Sequence, residues 1–149
     1  MSKTRQEPRI SVNKLAQYIT SRAGRQTQIL RNAKFPPDYI TTYYREAAEA
    51  VARYLASGMT DLAILDRAIN SLKQITPTNI YESRRFDGNI DAIEPFSGML
   101  DSIEFGGAEA KLGAPTAPPL IISGVDISVR PEVTLHTTSK TTKLTGGIN

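Results

Sequence analysis

The chain has no cysteine and no tryptophan, and its single histidine is His136. Without cysteine there can be no disulfide, no thiolate metal site and no thiol nucleophile, which suits a reducing compartment. Zinc would have to rest on His136 and carboxylates, a poor donor set, so no metal ligand is assigned. No apolar run approaches the roughly 20 residues that a bilayer-crossing helix needs, and the opening MSKTRQEPR leads into no signal-like apolar stretch. Gly106-Gly107 and Gly146-Gly147 lack the spacing and the following helix of a phosphate-cradling loop. His136 has no motif-borne nucleophile beside it, which removes Ser/His/Asp catalysis. These absences predict a soluble, cytoplasmic protein with no membrane association, no cofactor and no catalytic residue that can be named.

Acidic side chains are scarce at the start. The first 34 residues hold eight basic residues (Lys3, Arg5, Arg9, Lys14, Arg22, Arg25, Arg31, Lys34) and one acid, Glu7, whereas the rest hold ten basic and fourteen acidic. The net charge of +3 therefore conceals a polarised chain. Such asymmetry points to an anionic partner for the N-terminal part, and phosphate backbones are the commonest such surface.

With 149 residues, 40% of them apolar, the chain can bury one ordinary core. Residues 1 to 10 are polar and basic and predict a mobile arm. Ser11 can cap a short helix with Val12, Leu15, Ala16 and Ile19 on one face, and a second helix holds Ile29 and Leu30 after a break near Gly24. Pro36-Pro37-Asp38 suits the first turn of the next helix. In that helix Ile40, Tyr43, Tyr44, Ala47, Val51, Tyr54 and Leu55 form a buried stripe, while Arg45, Glu49 and Arg53 face water. Gly58 should end it and Thr60 should cap a fourth helix with Leu62, Leu65, Ile69 and Leu72 inward, stopping before Pro77. The short connection makes these two an antiparallel hairpin. A fifth helix is expected from about Thr78 to Leu100, with Ile90, Ile93, Phe96 and Leu100 inward, weakened by Gly88 and kinked or interrupted at Pro95.

From about residue 105, glycines and prolines punctuate β-like pieces. Val125, Ile127, Val129, Val133 and Leu135 alternate with Asp126, Ser128, Arg130, Glu132, Thr134 and His136, the pattern of a half-buried strand. Pro131 demotes this stretch to an edge strand, or to two strands joined by a bulge. Ser139 to Thr142 predicts a turn, with a partner strand over Lys143 to Ile148. The fold class expected is α+β: a helical part over residues 1–104 packed on a small antiparallel, incomplete sheet over residues 105–149, as one cooperative unit.

Two places could carry chemistry. Residues 11 to 34 have the length of a helix-turn-helix whose second helix presents Arg25, Gln26, Gln28, Arg31 and Asn32, types able to meet phosphates and base edges. The nucleic-acid-binding set is Lys14, Arg22, Arg25, Gln28, Arg31 and Lys34; the plain alternative is a pair of packing helices with solvated arginines. The second place is the polar strand face with Asp126, Arg130, Glu132 and His136, where a carboxylate after proline could hold Mg²⁺. Against this, Lys140 and Lys143 are joined by no acid between Thr137 and Asn149, and Arg130 and Glu132 can simply pair in water. Tyr43, Tyr44 and Tyr54 could stack on bases but fall on the apolar stripe and are assigned to the core. Arg84-Arg85 has Glu82 and Asp87 nearby to neutralise it.

Ser11-Val12-Asn13-Lys14-Leu15, Ile29-Leu30-Arg31, Lys34-Phe35-Pro36-Pro37-Asp38, Ile122-Ser123-Gly124-Val125 and Val129-Arg130-Pro131-Glu132 together resemble a family of uncharacterised bacterial proteins. Its β part is similar in pattern to the restriction-endonuclease-like PD-(D/E)xK core. Pro131-Glu132 matches that motif, while Thr145-Gly146-Gly147-Ile148 stands where its acid-x-lysine pair would be. The resemblance implies an inactive or incomplete, C-terminally short nuclease core. The leading expectation is a non-enzymatic DNA- or RNA-associated protein of bacterial or phage origin. Its alternatives are a module that binds a protein, or a second copy of itself, through an open sheet edge, and a nuclease centred on Glu132.

Overall fold

The computed structural model describes residues 6–36, 43–114, 116–139 and 142–148. In chain order its elements are β1 (Arg9–Ser11), α1 (Val12–Thr20), α2 (Ala23–Lys34), α3 (Arg45–Ala56), α4 (Ala63–Gln74), α5 (Ile80–Ser97), a 3-10 turn (Leu100–Ser102), β2 (Glu109–Leu112), β3 (Leu120–Ile122), β4 (Val125–Ser128), β5 (Val133–Ser139) and β6 (Thr142–Ile148). The fold is mixed α and β, with the helices early and all strands but β1 late. In space the chain forms two compact units, each joining an early to a late segment: Met1–Ile40 with Pro115–Arg130, and Thr41–Ala114 with Pro131–Asn149. The change from helix to strand near residue 104 is thus a boundary along the sequence, while the contacts group the segments differently.

In the first unit, β1 pairs parallel with β4, and β3 pairs antiparallel with β4 on its other side. The expected arm over residues 1–10 is corrected at its end, residues 1–5 lying outside the described residues. Arg9–Ser11 is a strand, Ile10 is buried, and the Pro8 carbonyl accepts from the Asp126 amide at 2.9 Å. Three residues are too few for alternation to show in a sequence, so only the pairing makes this strand. Ser11 caps α1 as expected, its hydroxyl accepting from the Lys14 amide at 3.3 Å. Ile10, Ile29 and Ile127 form a small core, with Val12, Leu15, Tyr18, Val125 and Val129 packed on it. Tyr18 thus takes the inward place expected for Ile19, while Ile19 (69% exposed) and Leu30 (50%) face out. Ser123 (φ 51°) and Gly124 (φ 76°) link β3 to β4 in the left-handed region that a two-residue hairpin turn requires.

In the second unit, α3, α4 and α5 pack on an antiparallel sheet ordered β2-β5-β6. Tyr54, Leu55, Leu65, Ile93, Ala110 and Val133 meet in its core. Gly58 (φ 73°) ends α3 as expected, but Thr60 does not cap α4: its hydroxyl turns back to the Ser57 carbonyl, and Asp61 accepts from the Ala63 amide instead. Asn79 caps α5, its side-chain oxygen accepting from the amides of Tyr81 and Glu82, while Glu82 accepts from the Thr78 amide and hydroxyl at 2.8 and 2.7 Å. Of the kink or interruption expected at Pro95, the interruption does not occur. The proline lies in the last turn of α5, which runs unbroken to Ser97. Tyr43 and Tyr44, assigned to the core from the stripe, are exposed because α3 begins only at Arg45; Tyr54 is buried. Asp38 and Ile40, and the turn at residues 140–141, lie outside the described residues.

The stretch from Val125 to His136 is two strands, broken around Pro131, and they belong to different sheets. Its parity holds: Ile127 and Val133 are buried, while the even positions remain partly or wholly exposed. Gly113 allows the β2–β5 contact, since a Cβ there would lie 1.7 Å from the Pro131 carbonyl oxygen.

Candidate nucleic-acid interface

The predicted basic set is carried by α1, α2 and the two-residue link between them. Lys14 is exposed on α1, where its ammonium donates to Gln17 at 3.0 Å. Arg22 precedes α2 in extended backbone with no side-chain cap, and the first turn of α2 contains no acid. The positive end of the α2 dipole is therefore left without a compensating carboxylate on its own helix. Arg25, Gln28, Arg31 and Lys34 are all exposed. Three-residue steps turn a helix back by roughly 60°. These four therefore spread over about half the circumference of α2, the half away from Ile29 and Ala33.

Two residues of the wider set behave differently from each other. Gln26 is committed to the fold, its side-chain amide donating to the Tyr18 carbonyl at 3.0 Å and so fastening the end of α1 to α2. Asn32 is exposed. The Lys34 ammonium lies 5.5 Å from the centre of the Phe35 ring.

None of Lys14, Arg22, Arg25, Arg31 and Lys34 has an ion-pair partner among the described residues. The contrast lies in the second unit, where Arg45–Glu49, Arg67–Asp61, Lys73–Glu94, Arg85–Glu46 and Lys111–Glu109 are paired at 2.8 to 3.7 Å. By sequence the first unit carries nine basic and three acidic residues, and the second nine and twelve. Spatial grouping thus preserves the charge division seen along the chain.

The first unit also contains a cleft of about 480 Å³ with apolar walls from Leu15, Tyr18, Leu30 and Ala33. Arg9, Lys34 and Glu7 line it too. Arg9 reaches the Ser128 hydroxyl at 3.4 Å. Sequence reading missed this cleft because it needs β1, and the only hint of β1 is the lone apolar Ile10 between polar neighbours.

Of the strand-borne candidates, Asp126 and His136 fall in different sheets. Asp126 stands in β4, opposite Arg9 of β1 and Ile121 of β3. His136 stands in β5, its ring nitrogens 3.0 Å from the Thr134 hydroxyl and 3.4 Å from that of Thr145. Glu132 is exposed just before β5, and its carbonyl accepts from the Gly113 amide at 2.9 Å. Thr145-Gly146-Gly147-Ile148 forms part of β6, paired with β5. Among the described residues no group of three or more His, Asp or Glu side chains could hold a metal ion. Arg85 pairs with Glu46 of α3 at 2.8 Å, rather than relying on its sequence neighbours Glu82 and Asp87.

No family model, no curated protein and no solved structure matches the chain. Among the described residues no helix is long and apolar enough to cross a membrane.

Proposed function

We propose that the first unit is a non-enzymatic nucleic-acid-contacting module that meets phosphates through Lys14, Arg22, Arg25, Arg31 and Lys34, with Gln28 among them as a hydrogen-bonding partner. The observation that carries this reading is the exposure of all five cations on two adjoining helices and the link between them, with no ion-pair partner among the described residues. Cations of this kind release counterions when they meet a polyanion, which drives binding without sequence preference. On this reading the protein is of bacterial or phage origin and meets DNA or RNA in the cytoplasm. Glu132 has no part in it.

Titration of a mixed-sequence DNA duplex at two salt concentrations tests the reading. If all five cations engage phosphates, log K falls against log salt with a slope of about −4.5, so affinity drops roughly 500-fold between 50 and 200 mM. The double substitution Arg25→Gln, Arg31→Gln should flatten the slope by about 1.8. Absence of binding at low salt to either duplex or single strand ends the proposal.

A second reading is favoured by a separate observation. β3 is an edge strand, and its Leu120, Ile121 and Ile122 are all exposed, Ile121 at 72%. Apolar edges recruit other strands, so this edge could take a protein partner or a second copy of the chain. Sedimentation across a concentration series should then show association that Ile121→Lys abolishes. A monomer at every concentration, with no concentration-dependent gain in protection of the β3 amides from hydrogen exchange, removes the self-association form of this reading.

A further inference from the structure

The cleft of the first unit adjoins the basic face instead of lying apart from it. Lys34 belongs to both. It lines the cleft together with Leu30, its neighbour four residues back on α2, and it stands three residues beyond Arg31, the next cation along the exposed surface. From Arg31 the surface passes to Gln28 and then Arg25, each three residues away and so adjacent on the helix. A polyanion laid along Arg25, Gln28, Arg31 and Lys34 therefore arrives at the mouth of an apolar cavity.

The cavity has the chemistry of a base-binding slot. Its volume of about 480 Å³ falls within the roughly 300–1,000 Å³ of small-ligand clefts. Tyr18 supplies an aromatic ring, and Leu15, Leu30 and Ala33 supply aliphatic walls. Glu7 supplies a carboxylate able to accept from the amino group of a base, as acids do from cytosine. Arg9 and Lys34 supply cations for a flanking phosphate. A duplex keeps its bases stacked inside and can offer this cavity nothing without extruding one at a cost of a few kcal/mol.

We infer that the preferred ligand of the first unit is single-stranded nucleic acid, with one unpaired base seated against Tyr18 in the cleft and its backbone running over Lys34 and Arg31. This rests on the nucleic-acid reading above and specifies the form of its ligand. Recognition of this kind joins a cationic track to an aromatic platform and tolerates many sequences.

The experiment compares a short, labelled, mixed-sequence single-stranded oligodeoxynucleotide with the same strand annealed to its complement, by fluorescence anisotropy on the full chain at low salt. The single strand should bind more tightly. Tyr18→Ala should weaken single-strand binding about tenfold or more and leave duplex binding unchanged, while Tyr18→Phe, which keeps the ring, should bind like the parent. Because Tyr18 also packs on the Ile10–Ile29–Ile127 core, Ala33→Met serves as a second probe. Its neutral, flexible side chain suits a helix and fills the cleft, so single-strand binding should fall while duplex binding stays. Equal or tighter binding of the duplex, with both variants indifferent, overturns the inference and leaves the phosphate-contact reading standing. Failure of both probes to bind overturns both.

Discussion

Asn89 is a fully buried polar side chain, and each of its hydrogen-bonding groups is used. Its oxygen accepts from the Ala47 amide at 2.8 Å, and its nitrogen donates to the carbonyls of Tyr43 at 2.7 Å and Arg85 at 2.8 Å. Tyr43 and Ala47 stand four apart, the spacing of a helical hydrogen bond, yet each bonds to Asn89 instead. The side chain of α5 thus caps the start of α3 from outside. Asn89→Ala deletes three bonds and leaves a buried N–H without a partner, a loss of about 2–4 kcal/mol. Asn89→Asp should be worse near neutral pH, since a buried carboxylate would then face two carbonyl oxygens. Burial raises the pKa of such an acid, so the folded state would bind the proton more readily than the unfolded one, and this variant should regain stability as pH falls. Urea unfolding followed by far-UV circular dichroism gives the free energies, and hydrogen exchange at the Ala47 amide locates the loss. Should Asn89→Ala lie within 0.5 kcal/mol of the parent, about the spread of a neutral surface substitution, with Ala47 still protected, the capping argument fails. Direct pairing of Ala47 with Tyr43 would then be the relaxation that replaced it.

Gly113→Ala should abolish the β2–β5 contact, costing at least about 3 kcal/mol by urea titration, because the new Cβ would meet the Pro131 carbonyl oxygen at 1.7 Å. Gly24→Ala and Gly88→Ala should part company: both gain helix propensity of about 0.5–1 kcal/mol. Gly24 has open space around it, whereas a Cβ at Gly88 would lie 2.8 Å from the Tyr43 ring, so only the first should raise the melting temperature. Glu82 is held below its ordinary carboxylate value of 4.5, chiefly by the Thr78 amide and then by the Thr78 hydroxyl. Its contribution is therefore present above pH 4.5 and lost as pH falls through the lower folded value. Glu82→Gln should remove that part of the acid dependence, read as unfolding free energy against pH.

Much of the second unit was legible because its signals are local. The inward Leu65 and Leu72 of α4, the inward Ile93 of α5, the stop at Gly58 and the alternation across Val133 and Leu135 follow from 3.6- and 2-residue periods and from glycine's left-handed freedom. Leu62, expected inward, instead precedes α4 and is exposed, and α5 buries Phe86 and Asn89 beside Ile93. The errors arose where a local signal competed with a distant partner. Tyr43 fits the apolar stripe, yet its ring lies beside Gly88 and its hydroxyl donates to the Arg84 carbonyl, so it packs on α5 from the surface. Thr60 is a good cap in isolation, but Asp61 reaches the free amide of Ala63 and also pairs with Arg67. Of the candidate interface, the identity of the cations was visible in the sequence, and their exposure followed from the helical phase of Ile29. The cleft beside them was not visible, because its walls come from segments whose meeting depends on β1 joining β4.

The sequence by itself determined the charge division, the helical segments and the faces of the strands, since each depends on composition or on residues within a turn or two of one another. The tertiary structure alone decided that Arg9–Ser11 is a strand, that Val125 to His136 serves two sheets, and that Asn89 is held by the start of α3. The physical reason is that a backbone edge or a buried amide has no preference of its own among distant partners. Its hydrogen bonds must be satisfied by whatever the packed core brings within reach.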